Sequence, residues 1–124
     1  MTIAIVGSRD FSNPDLVRVF IKKLAEKDPS TIILSGGARG VDTWAVETAQ
    51  SVGLKTEVIL ADWEKHGKAA GMIRNTTLVE RADKIVAFWD EGSKGTLDTI
   101  LKAKKMGKIV IVINSLGSEI TSFG

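Results

Sequence analysis

Residues 31–45, TIILSGGARGVDTWA, decide the fold predicted for this chain. A short apolar run ends in a glycine-rich turn, and apolar residues at helical spacing follow the turn. This order predicts a buried strand that leads directly into a helix. The turn contains three glycines and one cation, Arg39. It is either a simple turn or a binding site for an anion.

The same unit recurs along the chain. Five apolar runs are predicted as strands, at residues 3–6, 31–34, 56–60, 84–88 and 108–113. Helical patterns begin near Asn13 and Val41, extend over about 69–81, and run from about Thr96 to Met106. Four of the strands are continuously apolar, which is typical of parallel strands buried on both faces. The sequence therefore predicts an α/β fold with an open parallel sheet and helices on both faces.

Length and composition limit the class of protein. The chain has 124 residues, 44% of them hydrophobic, which is ordinary for one globular domain. We expect one domain over residues 1–113 and a C-terminal tail over 114–124. There are no cysteines, which excludes a disulfide scaffold and a cysteine metal site. No apolar run approaches the ~20 residues of a membrane span, and the N-terminus does not resemble a signal peptide, so we expect a cytoplasmic protein without a membrane partner.

The formal net charge is only +2, which disfavours, without excluding, nucleic acid as a partner. A nucleotide-type small molecule fits this charge better. We also expect a homodimer or a higher homo-oligomer, with the weakly amphipathic pattern near 69–81 as a contact.

Three predicted loops share one chemistry, since each contains glycine, a hydroxyl side chain and a cation. Glycine lets backbone N–H groups approach an anion, a helix N-terminus supplies unpaired N–H donors, and arginine binds phosphate with two donors. We predict the following phosphate-binding and ligand-binding residues in these loops: Gly7, Ser8, Arg9, Ser35, Gly36, Gly37, Ala38, Arg39, Gly40, Gly92, Ser93, Lys94, Gly95 and Thr96.

The shared chemistry also indicates the strand order. Ligands of doubly wound sheets bind at the carboxyl ends of the strands, where the strand order reverses. In the order 3-2-1-4-5 the three loops converge on one crevice. In the order 2-1-3-4-5 the third strand would separate the last loop from the other two. We therefore predict the order 3-2-1-4-5.

Four segments together resemble one known superfamily. GSRDFSN at 7–13, SGGARGVDTWAVETA at 35–49, ADWEKHGKAAGMIRN at 61–75 and FWDEGSKGT at 88–96 look like the SLOG superfamily of Rossmann-like domains. The resemblance is to its small YspA/YpsA-related branch, which is common in bacteria and phages. It implies a three-layer α/β/α fold and a pocket for nucleotides or nucleotide-derived ligands.

Two better understood branches imply competing functions. The LOG branch cleaves the N-glycosidic bond of nucleoside monophosphates, releasing a base and ribose 5-phosphate. Arg74 takes the place of its signature arginine, whereas the position of its catalytic glutamate is Thr99, with Asp98 one residue early. The branch of DNA processing protein A holds phosphates of single-stranded DNA with similar loops. The resemblance thus leaves a binder, an N-glycosidic hydrolase and a single-stranded DNA binder as alternatives.

A hydrolase would need a carboxylate to stabilise an oxocarbenium-like state and to orient water. The candidate catalytic residues are Arg74, Asp90 and Asp98, whereas Asp42 is interpreted as an acidic residue in the first turn of a helix. Trp63 is predicted to stack on a base, and Trp89 is a second option.

No histidine–carboxylate spacing predicts a metal site, and no cofactor is required, although Mg²⁺ could enter with phosphates. The first function we predict is a nucleotide binder that acts as a sensor or a sequestering protein.

Overall fold

The structure, a computed structural model, describes residues 1–121 and contains a five-stranded parallel sheet. Its strands are β1 (Thr2–Gly7), β2 (Ile32–Ser35), β3 (Lys55–Val58), β4 (Lys84–Phe88) and β5 (Ile109–Ile113). Their order across the sheet is β3-β2-β1-β4-β5, as the shared loop chemistry predicted. The predicted Rossmann-like fold class is therefore confirmed.

Four helices pack on the two faces of the sheet, and the short helix α3 contacts α4. The helices are α1 (Pro14–Lys27), α2 (Val41–Ser51), α3 (Trp63–His66), α4 (Ala70–Arg81) and α5 (Lys94–Lys105), and a 3₁₀ turn, Gly67–Ala69, joins α3 to α4. Within residues 1–121, no helix has both the length and the hydropathy that crossing a bilayer requires.

Strand β1 contributes to both hydrophobic layers because successive side chains of a strand point to opposite faces. Ile3 and Ile5 pack in the layer that contains the buried residues of α1 and α2. Ala4 and Val6 pack in the opposite layer, with residues of α4 and α5. The continuous apolar run of this strand is thus explained by burial on both sides.

Two differences from the predicted elements have local causes. Helix α5 begins two residues before the predicted Thr96 because Ser93 caps it, its Oγ accepting a hydrogen bond from the N–H of Thr96 at 3.2 Å. Helix α3 lies in a segment predicted as a loop, and Asp62 caps it by accepting from Lys65 N–H at 3.0 Å. Four residues are too few to show a helical period in the sequence.

The first part of the predicted C-terminal tail folds back on the sheet. An antiparallel bridge joins Glu119 to Ile113, and the N–H of Ile120 donates to the carbonyl of Val112 at 2.8 Å. Ile120 packs against the layer formed by α4 and α5. Residues 122–124 of this tail lie outside the described residues.

The core beneath β4 gives a first prediction. Phe88 is 0% exposed, and its ring lies edge-to-face with Phe11 at 5.8 Å and with Phe20 at 5.7 Å. We expect Phe88→Ala to lower the free energy of unfolding by about 3–5 kcal/mol, because it removes a buried ring and leaves a cavity. Urea unfolding followed by circular dichroism would measure this loss.

The matched control is Val19→Ala on the exposed side of α1, which should change the free energy of unfolding by less than about 0.5 kcal/mol. A loss below about 1 kcal/mol for Phe88→Ala would show that the aromatic cluster does not hold β4 against α1.

Candidate functional site

A cleft of about 450 Å³ opens at the carboxyl edge of the sheet, above β1 and β4. The loops after β1, β2 and β4 all contribute to it, together with α4 and the first turns of α2 and α5. Its lining comprises Val6, Gly7, Ser8, Arg9, Asp10, Ala38, Asp42, Arg74, Asn75, Leu78, Asp90, Gly92, Ser93, Gly95, Thr96 and Thr99. The structure therefore brings together residues of all three predicted loops.

Ser8 and Asp90 join the first loop to the third. The buried Ser8 hydroxyl donates to Asp90 Oδ1 at 2.8 Å and accepts from the N–H of Asp90 at 3.1 Å. The same Oδ1 accepts from the N–H groups of Gly92 at 2.8 Å and Ser93 at 3.2 Å. Burial alone would raise the pKa of Asp90, but these hydrogen bonds outweigh it and lower the pKa, so the carboxylate stays ionised.

The third loop ends in the N-terminus of α5, which faces the cleft. Gly95 and Thr96 line the cleft, and the Oγ atoms of Ser93 and Thr96 lie 2.9 Å apart. As the first residues of a helix, Lys94 and Gly95 carry backbone N–H groups that no carbonyl of the helix can accept from. This end of α5 therefore offers donors and a partial positive charge to an anion.

Arg74 reaches the cleft from α4 and is held on two sides. Its Nη1 donates to the carbonyl of Gly36 at 2.5 Å, and its Nε donates to Asn75 Oδ1 at 2.9 Å. A Cβ at position 36 would lie 2.6 Å from Nη1, so only glycine leaves room for the guanidinium there. Burial lowers the pKa of Arg74, and the neighbouring Asp42 partly offsets this effect.

Asn75 links Arg74 to α5. Its buried amide accepts from Arg74 and donates to the carbonyl of Gly95 and to Asp98 Oδ2, both at 3.2 Å. Asp98 in turn accepts from Lys102 Nζ at 2.9 Å and does not line the cleft. A continuous polar chain thus connects the loop after β2 with the start of α5.

Asp42 is the most buried carboxylate that lines the cleft. It is 5% exposed, and its Oδ2 accepts from the N–H of Ala38 at 3.2 Å. Burial raises the pKa of Asp42 to about 6, against the lowering effects of the Ala38 N–H and the Arg74 and Arg9 charges. The sequence placed Asp42 correctly in the first turn of α2, but it did not show that the carboxylate faces the cleft.

The two predicted phosphate-binding arginines have different surroundings. Arg9 lines the cleft, and no hydrogen bond or ion pair engages its guanidinium within residues 1–121. Arg39 has a side chain 71% exposed, does not line the cleft, and pairs with Asp10 Oδ1 at 3.3 Å. The cations that face the cleft are therefore Arg9 and Arg74, with Arg39 at its rim.

Comparison with known proteins identifies the family of this chain. Residues 1–66 match the family model described as YAcAr: YspA, cpYpsA-related SLOG family. The chain is 34% identical over 116 residues to the Gene 61 protein of Mycobacterium phage D29, an alignment that covers 88% of this chain and 93% of the relative. The chain belongs to the YspA, cpYpsA-related SLOG family. The resemblance noted from the four sequence motifs is thereby confirmed.

Solved structures share the fold of this SLOG domain at lower identity. DNA processing protein A from Streptococcus pneumoniae is 22% identical, with a TM-score of 0.77 over 90% of this chain and 50% of its own. The Helicobacter pylori protein, described for its single-stranded DNA binding mode, is 21% identical with a TM-score of 0.75, over 91% of this chain and 65% of its own. TM1055, a structural genomics target, is 23% identical with a TM-score of 0.71, over 88% of this chain and 71% of its own.

The SLOG domain thus spans about half the length of the Streptococcus pneumoniae protein. These likenesses establish the fold, and the chemistry of the cleft has to be argued from the residues of this chain.

Several predicted ligand residues of the SLOG domain lie beneath or beside the cleft. Ser35 is buried and donates to the carbonyl of Asp42 at 3.3 Å, while the N–H of Gly37 donates to Ser35 Oγ at 3.2 Å. Gly40 has a φ of +76°, and a Cβ there would meet the backbone of Arg9. These residues shape the second loop, and Ala38 is its member that lines the cleft together with Asp42.

The two tryptophans predicted to stack on a base differ in exposure. Trp63 is 57% exposed on α3, near Gly71, and lies outside the cleft in this conformation, so its contact with a base stays a prediction. Trp89 is buried, and its Nε1 donates to the carbonyl of Ser93 at 3.0 Å. The interpretation of Trp89 as a stacking residue is wrong, because its ring is part of the core.

Asp10, Asp42 and Thr99 line the cleft but were not predicted as ligand-binding residues. Asp42 could have been found from its place two residues after Gly40, at the start of a helix that follows a glycine loop. Thr99 was noted only as the position of a missing glutamate. Asn75 was expected, with Arg74, to reach the ligand, but its hydrogen bond to the carbonyl of Gly95, 20 residues away, could not be read from the sequence.

Asp42 makes the stability of the SLOG domain depend on pH. Its pKa is raised to about 6 in the folded state. Protonation of Asp42 is therefore easier in the folded state than in the unfolded state, which adds to the free energy of unfolding. This added stability is fully present below about pH 4 and is lost as the pH rises through about 6. We expect the free energy of unfolding of Asp42→Asn, which keeps an acceptor for Ala38 N–H, to rise by about 2 kcal/mol relative to that of wild type between about pH 4 and about pH 7.

Urea unfolding of both proteins at the two pH values measures this difference, and Asp10→Asn is the control. Asp10 is exposed and forms only a surface ion pair. The free energy of unfolding of Asp10→Asn relative to wild type should therefore change by less than about 1 kcal/mol between the two pH values. A stability difference between wild type and Asp42→Asn that does not change with pH would contradict the prediction.

Proposed function

We propose that this protein binds a nucleotide or a nucleotide-derived small molecule in the cleft, as a sensor or a sequestering protein. One observation carries the proposal: the open N-terminus of α5 faces a cleft in which no hydrogen bond or ion pair engages the Arg9 guanidinium within residues 1–121. Unpaired backbone donors, a helix dipole and a free arginine together are the features that bind phosphate in proteins.

The phosphate would lie at α5 rather than in the loop after β2. In that second loop, the N–H groups of Gly37 and Ala38 already donate to Ser35 and Asp42. At α5, Gly95 N–H is unused by the helix, and the hydroxyls of Ser93 and Thr96 are adjacent. Arg9 would supply the charge-assisted contact from the loop after β1.

The rest of the ligand would occupy the inner part of the cleft. A volume of about 450 Å³ is in the range of small-molecule sites. Arg74, Asn75 and Asp42 supply donors and acceptors there for a ribose or a base. No cofactor is part of this proposal, and Mg²⁺ would enter only with the ligand phosphates.

Binding is favoured over N-glycosidic hydrolysis by the surroundings of α5. The residue that lines the cleft at the position of the LOG glutamate is Thr99, whose hydroxyl donates to the carbonyl of Gly95 at 3.3 Å. Asp98 is bound to Lys102 and Asn75 instead. A hydrolase would have to use Asp42, or Asp90 through its Oδ2, because Asp90 Oδ1 already accepts three hydrogen bonds.

The proposal gives Arg9 and Arg39 different expected effects. We expect Arg9→Ala to weaken nucleotide binding about 10-fold to 150-fold, since a hydrogen bond to a charged group contributes about 1.5–3 kcal/mol. Arg39→Ala is the matched control and should change the affinity less than about threefold, because the side chain is exposed and outside the cleft. Isothermal titration calorimetry with a panel of ribonucleoside and deoxyribonucleoside mono-, di- and triphosphates measures both. Equal losses for the two variants would place the phosphate at the rim instead of at α5.

A second experiment separates binding from cleavage. We expect no free base when the protein, in excess, is incubated with nucleoside monophosphates and the products are resolved by liquid chromatography. Release of base that Asp42→Asn or Asp90→Asn abolishes would establish the hydrolase instead. Single-stranded DNA is the third alternative, and binding to an oligonucleotide that falls steeply with salt would favour it over a mononucleotide.

A further inference from the structure

Asp42 and Arg74 lie side by side on the inner wall of the cleft. A Cβ added at Gly36 would be 3.0 Å from Asp42 Oδ2 and 2.6 Å from Arg74 Nη1. Both groups line the cleft, so an anion that contacts the Arg74 guanidinium also comes close to the Asp42 carboxylate. A carboxylate so placed repels the same ligand that the arginine attracts.

The charges around Asp42 come from several elements. Arg74 faces it from α4, and Arg9 faces it from the loop after β1. Asp10 and Asp90 line the same cleft from the loops after β1 and β4. Asp10 is paired with Arg39 at the rim. When Asp42 and Asp90 are ionised, they balance the charges of Arg9 and Arg74, so an entering anion makes the cleft negative.

We propose that Asp42 is a specificity-determining residue that takes up one proton when an anionic group binds in the cleft beside Arg74. This inference rests on the proposed function in that the anion would be the phosphate of the ligand. The proton comes from the solvent and forms an O–H bond on the carboxyl of Asp42. The carboxyl keeps its backbone hydrogen bonds from Ala38, which donates to Oδ2, and from Gly36. The neutral carboxyl can then donate a hydrogen bond to the bound anion.

Two physical effects drive this uptake. Without a ligand, the Arg9 and Arg74 charges favour the ionised carboxylate, and a bound anion neutralises these charges. It also displaces water from the cleft, which increases the cost of keeping Asp42 charged. In the empty cleft, burial already raises the pKa of Asp42 to about 6, so a modest further increase brings it to neutral pH. Asp90 does not compete for the proton, since its hydrogen bonds lower its pKa.

Asp42 thereby sets the charge that the ligand can carry. Above neutral pH the ionised carboxylate penalises each additional negative charge placed near Arg74. At lower pH this penalty disappears, and anions bind more tightly. The cleft would discriminate against highly charged ligands through one residue, without losing the arginines that bind the first charge.

Sulfate is the probe that tests the proposal, because its charge stays constant between about pH 5 and about pH 8, unlike that of a phosphate monoester. Its affinity is measured by nuclear magnetic resonance titration of the backbone amides. We expect the affinity of wild type to rise up to about tenfold per unit of pH as the pH falls from about 8 to about 6, the limit for one proton. Asp42→Asn should bind sulfate as tightly at about pH 8 as wild type does at about pH 6, with no dependence on pH.

Asp10→Asn is the matched control, since it removes an exposed carboxylate of the same cleft and should keep the slope of wild type. In wild type, the ¹³C resonance of the Asp42 carboxyl should titrate at a higher pH in the presence of sulfate. Sulfate binding with no pH dependence, an unchanged slope in Asp42→Asn, a slope lost in Asp10→Asn, or no sulfate binding at all would each overturn the proposal.

The outcome is separable from that of the proposed function. Proton-linked sulfate binding in a protein that binds no nucleotide would leave this inference standing and refute the nucleotide ligand. Conversely, a protein that binds nucleotides but whose Asp42→Asn variant keeps the pH dependence of sulfate affinity seen in wild type would support the proposed function and refute this inference.

Discussion

The site exists because β1 lies at the centre of the sheet, buried on both faces and paired in parallel with β2 and β4. Parallel pairing places the carboxyl ends of neighbouring strands at one edge, so the loops that follow them must meet there. Ser8, at the end of this strand, then bonds to Asp90 at the end of β4. The central strand therefore fixes both the core and the position of two of the three loops.

The opposite wall of the cleft is held by polar contacts instead of strand pairing. Arg74 and Asn75 connect the carbonyl of Gly36 with the carbonyl of Gly95 through hydrogen bonds of 2.5–3.2 Å. A side chain at position 36 would meet the guanidinium and displace it from this position. Helix α4 thus fixes the distance between the second loop and the start of α5, and with it the width of the cleft.

The cleft combines attraction for an anion with a buried carboxylate that opposes it. A helix N-terminus and Arg9 favour phosphate on one side. On the inner side, Asp42 is held by Ala38 and by the Arg74 charge, although burial disfavours its ionised form. Such a balance suits a protein that distinguishes ligands by charge more than one that binds every polyanion.

The sequence by itself determined the fold and the edge that carries the site. Continuous apolar runs followed by glycine turns and helical patterns predicted five parallel strands, and the shared loop chemistry predicted their order. These features are local, because they follow from residues adjacent in the chain.

Only the tertiary structure decided which side chains face the cleft. Arg39 and Asp98 were predicted in the site, but neither lines the cleft, since they pair with Asp10 and Lys102, whereas Asp42 and Asn75 do line it. The physical reason is that the direction of a side chain, and the burial that raises the pKa of Asp42, depend on contacts between elements distant in sequence.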